Sequence, residues 1–84
     1  MKHTYRVVGL KDGDIYVAQM LELDVSAQGR SFDEALERLK TALDAEKAEA
    51  ASSGIDVREA IGPAPKEFYD LYESHPHHRE KLVA

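Results

Sequence analysis

The chain has 84 residues, a formal net charge of −5 and no cysteine. This length predicts one domain with a marginal core and a tendency to self-associate, because such a chain buries only roughly 60% of its unfolded surface. The absence of cysteine excludes disulfides and thiolate metal sites. No apolar run approaches the roughly 20 residues that a membrane span needs. Because the sequence also shows no apolar leader, a cytoplasmic protein is expected.

The first half of the chain is predicted to form a three-stranded antiparallel meander. Alternating patterns rich in Val, Ile and Tyr indicate the strands. The Asp12-Gly13 pair predicts a hairpin between the first two strands, because glycine accepts a positive φ without steric cost. Gly29 is expected to end the third strand. The predicted strands span residues 3–10, 15–21 and 25–28.

A long amphipathic helix is predicted to cover one face of this meander. Ser31 is a favourable N-cap, and Glu34 three residues later completes a capping box. Glu34 also forms a favourable i,i+4 pair with Arg38, and Gly54 is expected to end the helix in the left-handed conformation. The apolar stripe is interpreted as core, with a partner-binding groove as the alternative. The stripe consists of Phe32, Ala35, Leu36, Leu39, Ala42 and Leu43.

The remaining residues, 55–84, are predicted to be a C-terminal extension, either part of the same domain or exchanged between subunits. Residues 55–61 fit a short strand or a helical turn equally well, and the Pro-rich segment 62–65 breaks regular structure. A short helix is expected over 66–74, since Pro65 suits a helix start. Its aromatic side chains are expected to dock on the sheet or on a neighbouring subunit as an oligomer contact: Phe68, Tyr69 and Tyr72.

The fold class is therefore α+β: a small antiparallel three-stranded meander, one long helix and a short C-terminal helix. Few residues indicate chemistry. His75, His77 and His78 are weak candidates for a Zn²⁺ or Ni²⁺ site, and a solvated tail is the favoured interpretation. Asp12 and Asp14 flank a turn, where aspartate is common for structural reasons. With no phosphate-binding loop and no hydrolase motif, we expect no enzyme activity, no metal and no cofactor.

Charge distribution points to a protein partner. The charges of residues 1–30 cancel and no basic patch is visible, so direct nucleic-acid binding is not expected. Glu22 and Asp24 alternate around Leu23, and in an extended link both side chains would point the same way. They form either an acidic contact for a basic partner or a solvated bend, and the two interpretations stay open.

A combined strand–turn–helix pattern runs from Asp14 to Ala50. It has an extended Y-x-A segment, a short link, a strand ending in glycine and a helix opening S-x-x-E-A. The residues that carry it are Tyr16-Val17-Ala18, Leu21-Glu22-Leu23-Asp24-Val25, Gln28-Gly29, Ser31, Glu34-Ala35-Leu36 and Leu39. This pattern resembles the N-terminal domain of the HicB-like antitoxin family, and the resemblance assigns residues 1–54 to a HicB-like βββα domain.

The resemblance implies a non-catalytic binding module that silences a small basic RNA-cleaving toxin of the HicA type by steric and electrostatic occlusion. The segment after Gly54 is too short for a helix-turn-helix domain and has no basic recognition helix, so the resemblance is to a solitary short form without a DNA-binding domain. Two alternatives stay open. One is a stand-alone oligomeric domain with a structural or small-ligand-binding role and no toxin partner, and the other is a metal-dependent enzyme relic.

Overall fold

The computed structural model describes residues 2–74 and 78–84. Its four strands form one antiparallel sheet in the order β3-β2-β1-β4. The long helix α1 packs on one face of this sheet and the short helix α3 packs on the other. The elements in chain order are β1 Thr4–Asp12, β2 Ile15–Met20, β3 Ser26–Gly29, α1 Phe32–Ser52, α2 Val57–Ala60, α3 Lys66–Ser74 and β4 Arg79–Val83.

The β1–β2 hairpin forms as its turn residues predict. Asp12 pairs with Ile15 across a two-residue loop, and Gly13 at the first loop position has a φ of 62°. Glycine at this position is the arrangement of a type II′ turn, whose twist matches that of the flanking strands. The predicted hairpin is confirmed.

The start and the end of α1 follow local rules. The Ser31 hydroxyl accepts a hydrogen bond from the Glu34 amide at 3.1 Å, and Arg38 lies 3.4 Å from the Glu34 carboxylate. The Glu34 carboxylate accepts from the amide of Arg30 at 3.0 Å rather than from that of Ser31, so the capping box is shifted by one residue. Gly54 follows the helix with a φ of 75°, which confirms the left-handed cap.

The main core lies between α1 and the sheet. The helix packs against β2 and β3, and its stripe residues Ala35, Leu39 and Leu43 are fully buried. This confirms that the stripe is core. The other buried members of this cluster are Tyr5, Val7, Ala18, Met20, Leu23, Val25, Ala50, Val57 and Leu82.

The second face of the sheet is covered by α3. Tyr72 packs with the buried residues Val8 and Leu21, and the Tyr69 hydroxyl donates to the Leu21 carbonyl at 2.7 Å. The Arg6 guanidinium lies 5.2 Å from the Tyr69 ring centroid and 5.8 Å from that of Tyr72, within cation–π range. The aromatic helix therefore docks on the sheet of its own chain.

The prediction of three strands is wrong, because residues Arg79–Val83 add a fourth strand beside β1. Only Leu82 and Val83 are apolar in this segment, so its periodicity is too weak to indicate a strand. Its pairing partner lies at the other end of the chain, with Leu82 opposite Tyr5. The segment 55–61, left open between strand and helix, contains the one-turn helix α2 with Asp56 as its N-cap.

The position of β4 in the sheet predicts that two neighbouring residues of this strand contribute differently to the free energy of unfolding. Leu82 is 7% exposed against the core, whereas Val83 is 59% exposed on the other face. Leu82→Ala is expected to lower the free energy of unfolding by about 2–5 kcal/mol, and the control Val83→Ala by less than about 0.5 kcal/mol. Urea denaturation measures both values. Equal costs for the two variants would show that β4 does not pair with β1 in this register.

Candidate functional site

A concave region lies between α1 and β4, on the face of the sheet that carries the main core. It consists of two neighbouring depressions of about 280 Å³ and about 460 Å³. Both are lined by Lys40 and Leu82, and we treat the two adjoining depressions together as one shallow channel. The channel exists because α1 packs over β2 and β3, on the side of the sheet away from β4. We refer to this channel as the α1–β4 groove.

The groove has an apolar floor and a charged rim. The half-buried Leu36 and the nearly buried Leu82 form the floor, and the fully buried Leu43 borders it. Four exposed carboxylates and one exposed ammonium group line the rim, and the Glu37–Lys40 pair is 3.3 Å apart. The rim therefore has a formal charge of −3. Its charged residues are Asp33, Glu37, Lys40 and Asp44 on α1, and Glu80 on β4. Lys81 also borders the groove, but its side chain lies on the opposite face of β4 from Leu82, because successive residues of a strand alternate.

The outer edge of β4 runs along one side of the groove. His3 and Ala84 exchange both backbone hydrogen bonds, at 2.8 Å and 2.9 Å. In an antiparallel ladder, residues that bond the neighbouring strand alternate with residues whose backbone N–H and C=O groups point away from it. Since Ala84 bonds to His3, the backbone groups of Val83 and Lys81 point away from β1. An edge of this kind can accept an additional extended segment.

Glu22 is tied to β1 within the same molecule. One of its carboxylate oxygens accepts from the Arg6 side chain at 2.6 Å, and the other accepts from the Arg6 amide at 2.7 Å. The hydrogen bond to Glu22 raises the pKa of Arg6 above its usual range. The Arg6 guanidinium contacts the Glu22 carboxylate and the rings of Tyr69 and Tyr72. These contacts join β1 to the β2–β3 link and to α3.

Asp24 is exposed and accepts a hydrogen bond from the buried side chain of Gln19 at 3.0 Å. The chain bends over residues 21–23, so the extended link on which the acidic pair depended does not form. A role for Glu22 and Asp24 as partner contacts stays a prediction. Sequence reasoning missed Arg6 as the partner of Glu22, because sixteen residues separate them and no local pattern links opposite charges at that distance.

The other predicted site residues are dispersed. Tyr72 is buried, while Phe68 and Tyr69 are half-buried on the same cluster, and their role as an oligomer contact stays a prediction. His78 is exposed just before β4, whereas His75 and His77 lie outside the described residues. Over residues 2–74 and 78–84, no group of three potential metal ligands is found.

Comparisons with protein-family models, with curated proteins and with solved structures gave no match to this chain. Within the described part of the chain, no helix has the length and apolar character needed to cross a bilayer.

The placement of Glu22 and Asp24 predicts that they differ in their effect on stability. Glu22→Ala removes a salt bridge and leaves the half-buried amide of Arg6 without its acceptor, so we expect a loss of about 1–3 kcal/mol in the free energy of unfolding. The control Asp24→Ala removes the same charge from an exposed position, and the buried Gln19 amide that it leaves keeps its hydrogen bond to the Met20 carbonyl at 3.0 Å, so its cost is expected to be smaller, at most about 1 kcal/mol. Chemical denaturation compares them, and a Glu22→Ala variant as stable as the control would contradict a structural role for Glu22.

Proposed function

We propose that this chain is a non-catalytic, HicB-like protein-binding module that neutralises a small basic RNA-cleaving toxin of the HicA type. The observation that carries the proposal is the α1–β4 groove, in which an apolar floor is bordered by an acidic rim and by a free strand edge. These three features suit a protein partner with cationic and apolar side chains on one surface.

Charge complementarity favours a basic partner. The rim has a formal charge of −3, and the whole chain has a net charge of −5. A protein that cleaves RNA needs lysine and arginine side chains to hold the phosphate backbone. Those side chains would meet Asp33, Asp44 and Glu80 at the rim, so the bound module would occupy the surface that RNA requires.

Affinity would come from the floor of the groove rather than from its rim. Exposed ion pairs contribute little to binding free energy but speed association, because long-range attraction steers the encounter. Leu36 is half-buried in the floor and Leu82 is nearly buried beneath the channel, so an inserted apolar side chain would pack mainly against Leu36. Inhibition would then be steric occlusion, without any reaction of the bound toxin.

Self-association is the alternative, and the free edge of β4 is the observation that favours it. Arg79 and Lys81 are exposed on this edge strand, and positive charges on an edge are a common device against pairing of identical strands. An antiparallel pair centred on Lys81 would place two ammonium groups opposite each other. Light scattering at increasing salt tests this point. Because of these like charges we expect a mass near the 9.4 kDa of one chain rather than the self-association that the chain length predicts, and a stable dimer would favour the stand-alone oligomer.

The proposed function predicts a charge effect confined to the groove. The partner to test is the small basic protein expected to be encoded beside this one. Asp44→Lys combined with Glu80→Lys is expected to slow its association about tenfold at low salt, because the rim changes from negative to positive. Stopped-flow fluorescence measures the association rate.

The matched control is Glu67→Lys combined with Glu73→Lys, which changes the net charge equally but on exposed positions of α3. This control is expected to slow association far less than the groove variant. Equal effects would indicate attraction by net charge alone, and failure of the wild-type chain to bind and inhibit the basic protein would refute the proposed function.

A further inference from the structure

A separate pocket of about 210 Å³ lies at the junction of β1, α1 and α2. It is several times larger than the roughly 30 Å³ that one water molecule occupies in the liquid. Lys47 on α1 lies three residues beyond Asp44, so the pocket follows the α1–β4 groove along the helix. Its lining residues are His3, Tyr5, Lys47, Asp56, Val57 and Arg58.

The Tyr5 hydroxyl is the unusual group in this pocket. Tyr5 is 2% exposed, and its hydroxyl oxygen has no hydrogen-bond partner among the described residues. A buried hydroxyl without a partner costs roughly 1–3 kcal/mol, so such groups are rare in folded proteins. Burial also raises the pKa of Tyr5 above its ordinary value. The hydroxyl is therefore protonated at neutral pH and its hydrogen is not used within the described part of the fold, but the oxygen is covered by its neighbours, so a ligand reaches it only when a covering side chain moves.

The charged groups of the pocket are also dominated by donors. Lys47 is half-buried and forms no ion pair or hydrogen bond with any described residue. Arg58 holds Asp56 through Nε at 3.2 Å and Nη2 at 3.4 Å, which leaves its Nη1 without an acceptor among the described residues. The hydrogen bonds from Arg58 lower the pKa of Asp56, so this carboxylate is charged and already engaged.

Counting charges identifies the kind of ligand that fits. Lys47 and Arg58 supply two positive charges and Asp56 supplies one negative charge, so the lining has a formal charge of +1 within a chain of −5. The unengaged groups are the Tyr5 hydroxyl, the Lys47 ammonium and one guanidinium nitrogen, and all three donate. A ligand complementary to them accepts hydrogen bonds and carries negative charge.

We propose that this pocket binds a small oxyanion, carried on a carboxylate or phosphate compound, with Tyr5, Lys47 and Arg58 as its donors. A small movement of the side chains that cover Tyr5 lets the ligand complete the hydrogen bonding of its hydroxyl, and the two cations of the lining attract the charge of the ligand. The site needs no partner protein, so it stands independently of the function proposed for the groove.

The test is a titration of the isotopically labelled chain followed by amide chemical shifts. Inorganic phosphate and acetate are added in separate arms at neutral pH, with sodium chloride used to hold ionic strength constant. We expect saturable shifts in at least one arm, concentrated at residues 3–5 and 56–58. The arm that saturates at lower concentration identifies whether phosphate or carboxylate is the preferred group.

Three variants distinguish a site from general charge attraction. Tyr5→Phe is expected to weaken binding about tenfold, the effect of losing one hydrogen bond to a charged group, while melting at a temperature no lower than the wild type because the unpartnered hydroxyl is gone. Lys47→Gln is expected to weaken binding similarly, whereas Lys40→Gln, with the same charge change on the same helix, is expected to leave it unchanged. Shifts that do not saturate in either arm, or equal losses in both lysine variants, would overturn the proposal.

Discussion

The burial of β1 on both faces is the constraint on which the rest of the structure depends. Val7 and Val8 are adjacent in sequence, point to opposite sides of the sheet and are both fully buried. A strand in this situation needs cover on each face and a hydrogen-bonding neighbour on each side. The helices α1 and α3 supply the cover, and β2 and β4 supply the neighbours. Strand β1 in the N-terminal part of the chain is thereby paired with β4 in its C-terminal part.

The position of the groove follows from this arrangement. The long helix packs on β2 and β3, while β4 is added on the far side of β1. The core face of the sheet is therefore wider than the helix that covers it, and the uncovered margin becomes a channel beside β4. Because Leu82 closes the core beneath this channel, the strand that completes the fold also forms one wall of the proposed binding surface.

Local rules account for the elements that could be predicted from sequence. Ser31, Glu34 and Gly54 delimit α1 through bonds within a few residues, and Gly13 forms its turn through its own backbone freedom. The short helix α3 is equally local, because Pro65 precedes it and its apolar residues recur at helical spacing. Each of these elements depends only on residues that are close in sequence, so the sequence pattern alone predicts it.

The features that could not be predicted all depend on distant contacts. The strand Arg79–Val83 forms because β1 offers a free edge, and nothing in its own composition indicates this. The Arg6–Glu22 salt bridge joins residues that only the fold brings together, so the sequence alone leaves Glu22 open between a partner contact and a solvated bend. The Tyr5 pocket needs residues from β1, α1 and the α2 turn. Its donors are ordinary surface and core residue types, and only their arrangement makes them a site.

The most direct test of the central claim is amide hydrogen exchange of the chain, free and bound to the small basic protein expected to be its partner. If the α1–β4 groove is the binding surface, exchange should slow in residues 33–44 of α1 and at the outward-facing amides of β4, while α3 is unchanged. Protection confined to α3, or to the hairpin between β1 and β2, would show that recognition occurs on another surface and would contradict the account.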